Sequence, residues 1–185
     1  MKYYSKKAIF FYIGLIIILG TIFILPKGWG ITSEKSISSI ADKDTYIDTA
    51  NPTSNYGGAN NLKSGWGIFS DIREAYFHFT FTDKPENITK AELSLNIWGV
   101  SQTMDLTLSI IDVSWDEFTL EWINKPVHGQ TIGKIIVPSS GIYKFDITSL
   151  LTSRTDISIC VNMTIDDYVT DYVYITSREG YSSWA

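Results

Sequence analysis

Residues 74–81 (EAYFHFTF) and residues 91–98 (AELSLNIW) alternate apolar and polar side chains with a period of two. Because successive side chains of a β-strand point to opposite faces, each run predicts a strand with one apolar and one polar face. The segment 83–87 between the runs is rich in turn-forming residues. The two runs are therefore predicted to form a hairpin in which Thr80 lies opposite Lys90.

The rest of the chain beyond residue 41 carries further short strand patterns and no long helical period. The patterns lie at residues 45–49, 106–110, 132–137, 142–145, 157–163 and 172–176, and one helical turn is expected at 148–151. Gly, Pro, Asn and Asp residues separate most of these segments. About eight short strands with such connections predict an all-β fold, an antiparallel two-sheet β-sandwich of the jelly-roll type.

An uncharged apolar run, AIFFYIGLIIILGTIFIL, occupies residues 8–25. As a helix it would be roughly 27 Å long, close to the ~30 Å hydrocarbon core of a bilayer. We predict a transmembrane signal anchor here, behind a cytoplasmic basic stub at 1–7 and before a linker at 26–41, with the domain at 42–185 outside the membrane. A cleaved signal peptide and a prepilin-type leader cut near Lys7-Ala8 remain open as alternatives.

The charge distribution restricts the partners of the outer domain. The 185 residues include 20 Asp and Glu against 15 Lys and Arg; all but four of the basic residues and all of the acidic ones lie in 31–185, which therefore carries a net charge of −9. This balance argues against nucleic-acid binding, which requires a basic surface. Cys160 is the only cysteine, so an intrachain disulfide and a cysteine-based zinc site are not expected. The two histidines, His78 and His128, lack metal-ligand spacing.

Seven short strings occur in an order that is typical of one family. They are DTY at 44–46, NYG at 55–57, REAYFHF at 73–79, ITKAEL at 88–93, WDEFTLEWINKP at 115–126, YKFDITSL at 143–150 and SRE at 177–179. Together they resemble the DNRLRE domain, which is related to the repeats of archaeal disaggregatase-type surface proteins and to carbohydrate-binding module family 96. The resemblance covers residues 42–179.

This resemblance implies a jelly-roll, galactose-binding-like sandwich that occurs mostly as a non-catalytic module of secreted and cell-surface proteins. Some members bind acidic polysaccharides such as alginate. The chain departs from the family at Glu121 and Ile123, where Thr and Asn are common. Family members also continue past the SRE string into a last strand, so the domain is expected to lack that strand or to form only a stub of it at 181–185.

In the predicted hairpin, the polar face carries Tyr76, His78, Asn96 and Trp98. Aromatic rings on a polar sheet face suit a sugar, because the C–H face of a pyranose stacks on them while neighbouring polar groups bind its hydroxyls. We therefore predict a non-catalytic cell-surface module that binds a polysaccharide through these four residues. In the alternatives, a loop covers Trp98, or the chain is a structural surface or filament subunit that acts through protein contacts.

Other candidate sites follow from acidic residues and sequons. Asp42, Asp44 and Asp48 offer oxygen ligands for a structural calcium ion, although the Gly and Glu of an EF-hand loop are missing. Glu117 and Glu121 have the residue type of a glycosidase pair. We expect them instead to fix a long loop by bonding to backbone amides or arginines, and we predict no catalytic residue. Two sequons, at Asn87 and Asn162, predict glycosylation in an extracytoplasmic domain.

Overall fold

A computed structural model describes residues 38–67, 71–100, 102–163 and 171–178. The strands are β1 (Lys43–Asp48), β2 (Asn61–Trp66), β3 (Ile72–Thr80), β4 (Glu92–Gly99), β5 (Met104–Ile110), β6 (Thr131–Val137), β7 (Gly141–Asp146), β8 (Asp156–Met163) and β9 (Tyr172–Thr176), with a 3₁₀ turn at Trp122–Asn124 and one helical turn, α1, at Thr148–Leu151. The predicted strand segments and the helical turn are thereby confirmed. Only β2 was not predicted from the sequence.

The predicted membrane segment, the basic stub and most of the linker lie outside the described residues, as do residues 179–185. No helix among the described residues is long and apolar enough to cross a membrane.

All the strands pair antiparallel in one sheet with the order β6-β5-β8-β3-β2-β9-β4-β7, and β1 pairs with β3. Among the described residues, two pairs join β2 to β3, Gly65 with Arg73 and Trp66 with Ile72. One half of the sheet is connected to the other at these two pairs. A Cβ atom at Gly133 of β6 would lie 3.4 Å from the ring of Phe145 of β7, so the two ends of the sheet also approach each other. The all-β antiparallel part of the prediction is confirmed. In place of the two separate sheets of a sandwich, the strands form one nearly closed, barrel-like sheet.

The predicted pairing of β3 with β4 is wrong. The partners of β3 are β1, β2 and β8, whereas β4 pairs with β7 and β9 in the other half of the sheet. The apolar faces of the two strands instead contribute to one core, which contains Phe77 and Leu95. Alternation specifies which side chains face the core, but it does not specify which strand lies alongside.

The predicted polar face of β3 is also wrong in its first half, because a loop covers it. Tyr76 is fully buried and Glu74 nearly so. Loop residues 111–128 follow β5 and place the ring of Trp115 edge-on to that of Tyr76, with centroids 6.0 Å apart. A second buried cluster results, formed by Ile47, Tyr76, Ile111, Trp115, Leu120 and Cys160.

Candidate functional site

The four predicted ligand-binding residues do not form one surface. Tyr76 lies under the loop, and His78 is half-buried on β3. Asn96 and Trp98 lie on β4, in the other half of the sheet, and both are exposed; Trp98 is 50% exposed. The structure therefore separates the prediction into a buried part and an exposed part, of which only the exposed part can meet a ligand directly.

A bulge in β4 sets the position of Trp98. Ile97 pairs with Ile175 and Gly99 pairs with Tyr174, so Trp98 is the extra residue between two consecutive pairs. Bulges of this kind re-aim a side chain. The indole of Trp98 lies 4.9 Å from the ring of Tyr174 in a tilted arrangement, and its Nε1 donates a hydrogen bond of 2.9 Å to Oδ1 of Asn61. These contacts fix the indole while half of its surface stays accessible.

Further aromatic and cationic side chains continue this surface across β9 and β2. The ring of Tyr172 meets that of Tyr174 edge-on at 5.3 Å. Lys63 Nζ lies 5.6 Å from the ring centroid of Tyr172 and 5.8 Å from that of Tyr174. We call the outer surface formed by Asn61, Lys63, Trp98, Tyr172 and Tyr174 the aromatic face.

Polar groups and positive charge border the aromatic face. Asn96 Nδ2 donates to Oγ1 of Thr176 at 3.0 Å beside Trp98. Arg73 lies over the ring of Tyr172 at 4.3 Å and donates from Nε to Asp48 Oδ2 at 2.9 Å. Lys63 is different, because no carboxylate of the described residues lies within 4.0 Å of its Nζ. The aromatic face thus combines tilted and edge-on rings, amide and hydroxyl groups, and a cation whose neighbours among the described residues include the rings of Tyr172 and Tyr174.

Sequence reasoning did not identify Lys63, Tyr172 and Tyr174. The segment 172–176 (YVYIT) alternates, with Val173 and Ile175 buried, so its pattern alone places both tyrosines on one outer face. The tyrosines lie near Trp98 because β9 pairs with β4, and no local sequence pattern encodes this pairing.

His78 has a structural role, because it contacts two acidic side chains of the domain. Its Nδ1 lies 2.5 Å from Asp42 Oδ1, and its Nε2 lies 3.5 Å from Asp156 Oδ2. The hydroxyl of Thr80 donates to Asp42 Oδ2 at 2.6 Å. Burial would raise the pKa of Asp42, but the hydrogen bonds from Thr80 and His78 outweigh it, so that the pKa lies below its usual value. These contacts connect Asp42, directly before β1, with β3, and His78 connects β3 with β8.

The structure does not bring the three predicted calcium ligands together. The carboxylate of Asp42 is bound as described above, Asp44 Oδ2 accepts from the backbone N–H of Arg178 at 2.6 Å, and Asp48 accepts from Arg73 and from the backbone N–H of Ala50 at 2.8 Å. Among the described residues, the group of His, Cys, Asp and Glu side chains close enough to share a metal ion contains none of these aspartates.

Glu117 of the tryptophan-containing string holds the loop in place, as expected from the sequence. Glu117 is buried, and its Oε1 accepts from the backbone N–H of Asp44 at 3.1 Å and from Nη2 of Arg178 at 2.8 Å. Asn55 Nδ2 donates to the carbonyl oxygens of Glu117 and Leu120 at 2.8 and 2.9 Å. Several of the strings shared with the family therefore join one another across the loop.

The two sequons lie in different environments. Asn87 is exposed in the connection between β3 and β4. Asn162 lies within β8, where it pairs with Thr107 of β5, and is only half-exposed. Asn87 is therefore the more accessible of the two asparagines.

The chain was compared with models of known protein families. The family model described as carbohydrate-binding module family 96 matches residues 35–183. No curated protein sequence matches the chain. The family match confirms the carbohydrate-binding-module part of the resemblance read from the seven strings.

Proposed function

The chain belongs to carbohydrate-binding module family 96, and on that premise we propose that its aromatic face binds a polysaccharide. The family suggests a non-catalytic, carbohydrate-binding module. The observation that supports this face is the pair of Trp98 and Tyr174, whose rings lie tilted against each other at 4.9 Å, with Asn61 and Asn96 beside them and half of the Trp98 surface exposed. A pyranose stacks on such rings while the amides bind its hydroxyls.

We further propose that the bound sugar is acidic. Lys63 supports this, because its ammonium group lies within 6 Å of tyrosine rings and has no nearby carboxylate among the described residues to neutralise it. A sugar carboxylate on the aromatic face would supply that missing partner. The domain as a whole is acidic, so attraction to such a ligand would depend on this local charge.

A glycan array with the full chain, followed by calorimetry, tests the proposal. Truncation of a stacking aromatic at the centre of a binding surface costs more than about 1.4 kcal/mol, so Trp98→Ala should weaken binding at least about tenfold. Phe118→Ala, which truncates an exposed aromatic on the loop, is the matched control and should bind like the wild type. Lys63→Gln should weaken acidic glycans more than neutral ones. Binding that is unchanged in Trp98→Ala would exclude the aromatic face as the site.

A second function, protein contact at a cell surface or in a filament, is favoured by a different observation. Four apolar side chains of the loop are strongly exposed: Val113, Phe118, Ile123 and Val127. Exposed apolar groups of this kind can form a protein interface. Light scattering tests this function. The function requires that the wild type forms an assembly and that Val127→Asp weakens this assembly. The predicted membrane anchor at 8–25 would place either function at a cell surface.

A further inference from the structure

Three side chains with metal-binding atoms converge beneath the loop, on the side of β3 away from the main core. Glu74 comes from β3, Cys160 from β8 and His128 from the end of the loop. His128 Nε2 lies 3.1 Å from Glu74 Oε2 and 3.5 Å from Cys160 Sγ, and the sulfur lies 4.0 Å from the same carboxylate oxygen. None of the proposed carbohydrate contacts involves these residues.

These separations match those of ligands around one tetrahedral ion. With bond lengths of about 2.0–2.3 Å and an angle of about 109°, a zinc ion would separate its nitrogen and oxygen ligands by about 3.4 Å and its sulfur from either by about 3.6 Å. The observed separations of 3.1, 3.5 and 4.0 Å differ from those values by at most about 0.4 Å. Small side-chain rotations suffice to admit an ion.

Neighbouring groups hold the carboxylate in the orientation that such a site requires. Lys125 Nζ donates to Oε1 of Glu74 at 2.7 Å, and the hydroxyl of Tyr76 donates to Oε2 at 2.8 Å. Lys125 thereby holds Oε1, and Oε2, which also accepts from Tyr76, is directed at Cys160 and His128. Such outer contacts to a ligand fix its orientation in metal sites. Lys125 also stacks on Trp122, with its Nζ 3.8 Å from the ring centroid.

The site also meets the requirements of access and charge. Glu74 and Cys160 are buried, but the side chain of His128 is 26% exposed, so the cluster reaches solvent on the His128 side. The carboxylate and a thiolate would together neutralise a divalent ion. Thiolate, imidazole and carboxylate form a borderline donor set that suits Zn²⁺ and its neighbours among the first-row metals rather than Ca²⁺ or Mg²⁺.

We propose that Glu74, His128 and Cys160 form a binding site for a zinc-type divalent transition metal. On binding, Cys160 loses its thiol proton to solvent as the Sγ–metal bond forms. Neutral His128 contributes the lone pair of Nε2 with its proton on Nδ1, and Glu74 contributes Oε2. The ion joins β3 and β8 to the covering loop, so its role is to stabilise the loop against the sheet.

Titration of the chelator-treated, reduced full chain with Co²⁺ tests the site. Cys160 is the only cysteine in the sequence, so a thiolate-to-cobalt charge-transfer band in the near ultraviolet reports on this site alone. We expect the band to saturate at one Co²⁺ per chain and to disappear when Zn²⁺ displaces the cobalt. Zn²⁺ at about 100-fold over its Kd should raise the Tm by roughly 5–10 °C.

Matched variants separate the site from adventitious binding. His128→Gln should weaken Co²⁺ at least about tenfold, whereas His78→Gln, which removes the other histidine of the chain, should bind Co²⁺ like the wild type. Cys160→Ala should remove the band; if that variant does not fold, the half-exposed His128 still provides the test. Absence of the band, or an equal affinity in His128→Gln, would overturn the proposal. Glycan binding is measured separately, and its outcome is independent of this one.

Discussion

Tyr76→Phe removes a single hydroxyl from the buried cluster beneath the loop. In the wild type this hydroxyl donates to Glu74 Oε2 at 2.8 Å, and the ring is fully buried. The carboxylate is itself buried and ionised. Burial would raise the pKa of Glu74, but hydrogen bonds and positive charge from His128 and Lys125 outweigh it and lower the pKa below its usual value.

The expected cost follows from the charge on the acceptor. A hydrogen bond to a charged group contributes about 1.5–3 kcal/mol, roughly twice the value for a neutral pair. The ring remains in place, so the cavity is no larger than one oxygen atom and adds little. We therefore expect Tyr76→Phe to lower the free energy of unfolding of the metal-free protein by about 2 kcal/mol, which is roughly 4–8 °C in Tm for a domain of this size.

Urea unfolding of the chelator-treated protein measures this difference. Tyr143→Phe is the matched control, because the hydroxyl of Tyr143 donates to the carbonyl oxygen of Ser139 in an exposed position. It should cost less than about 0.5 kcal/mol, as surface changes usually do. If both variants lose the same small amount with unchanged slopes, the hydroxyl of Tyr76 does not stabilise a buried charge, and the account of this cluster is wrong.

Three further outcomes are expected. Gly99→Ala places a Cβ atom 2.8 Å from the ring of Tyr174, so this ring must move. Its displacement should weaken glycan binding about 2- to 12-fold, as measured by calorimetry. Gly58→Ala, which adds a Cβ atom in open space, is the control and should leave glycan binding unchanged. The difference in free energy of unfolding between the wild type and Asp42→Asn should be largest above about pH 4 and shrink as the pH falls through the lowered pKa of Asp42. The reason is that a carboxylate with a depressed pKa stabilises the folded state only while it is ionised. Urea unfolding at a series of pH values measures this difference, and a difference that grows in acid would contradict the stabilising role of the Asp42 carboxylate. Added Ca²⁺ should leave the Tm of chelator-treated protein unchanged, because Asp42, Asp44 and Asp48 each bond to a different partner. A Tm that rises with Ca²⁺ concentration and then levels off would support the calcium site after all.

Much of the fold could be predicted because alternation is local. The runs at 74–81 and 91–98 correctly identified the side chains that form the main core, among them Phe77 and Leu95. The sequence strings predicted a carbohydrate-binding module family, and Glu117 was correctly expected to bond to a backbone amide and an arginine in the loop. β2 escaped prediction because its sequence, NLKSGW, includes Gly65 at a φ of +138° and only one large buried apolar side chain, Leu62.

The candidate sites were harder to predict, because each depends on contacts between distant segments. Trp98 was correctly expected to be exposed, but its neighbour Tyr174 is brought to it by the pairing of β9 with β4. Tyr76 was expected to face a ligand and is instead buried by a loop that follows it by more than thirty residues. A period of two distinguishes the faces of a strand, but it carries no information on what covers them.

The sequence by itself determined the antiparallel all-β class, the apolar faces of the strands and the membership of a carbohydrate-binding family, since these depend on local alternation and on short strings. Only the tertiary structure decided which faces are open. In the folded chain a loop covers Glu74 and Tyr76, whereas Trp98 is exposed. Cys160 lies within 3.5 Å of His128, although no sequence spacing connects them. The physical reason is that exposure and ligand geometry are set by chain segments far apart in sequence, which meet only when the sheet closes around its core.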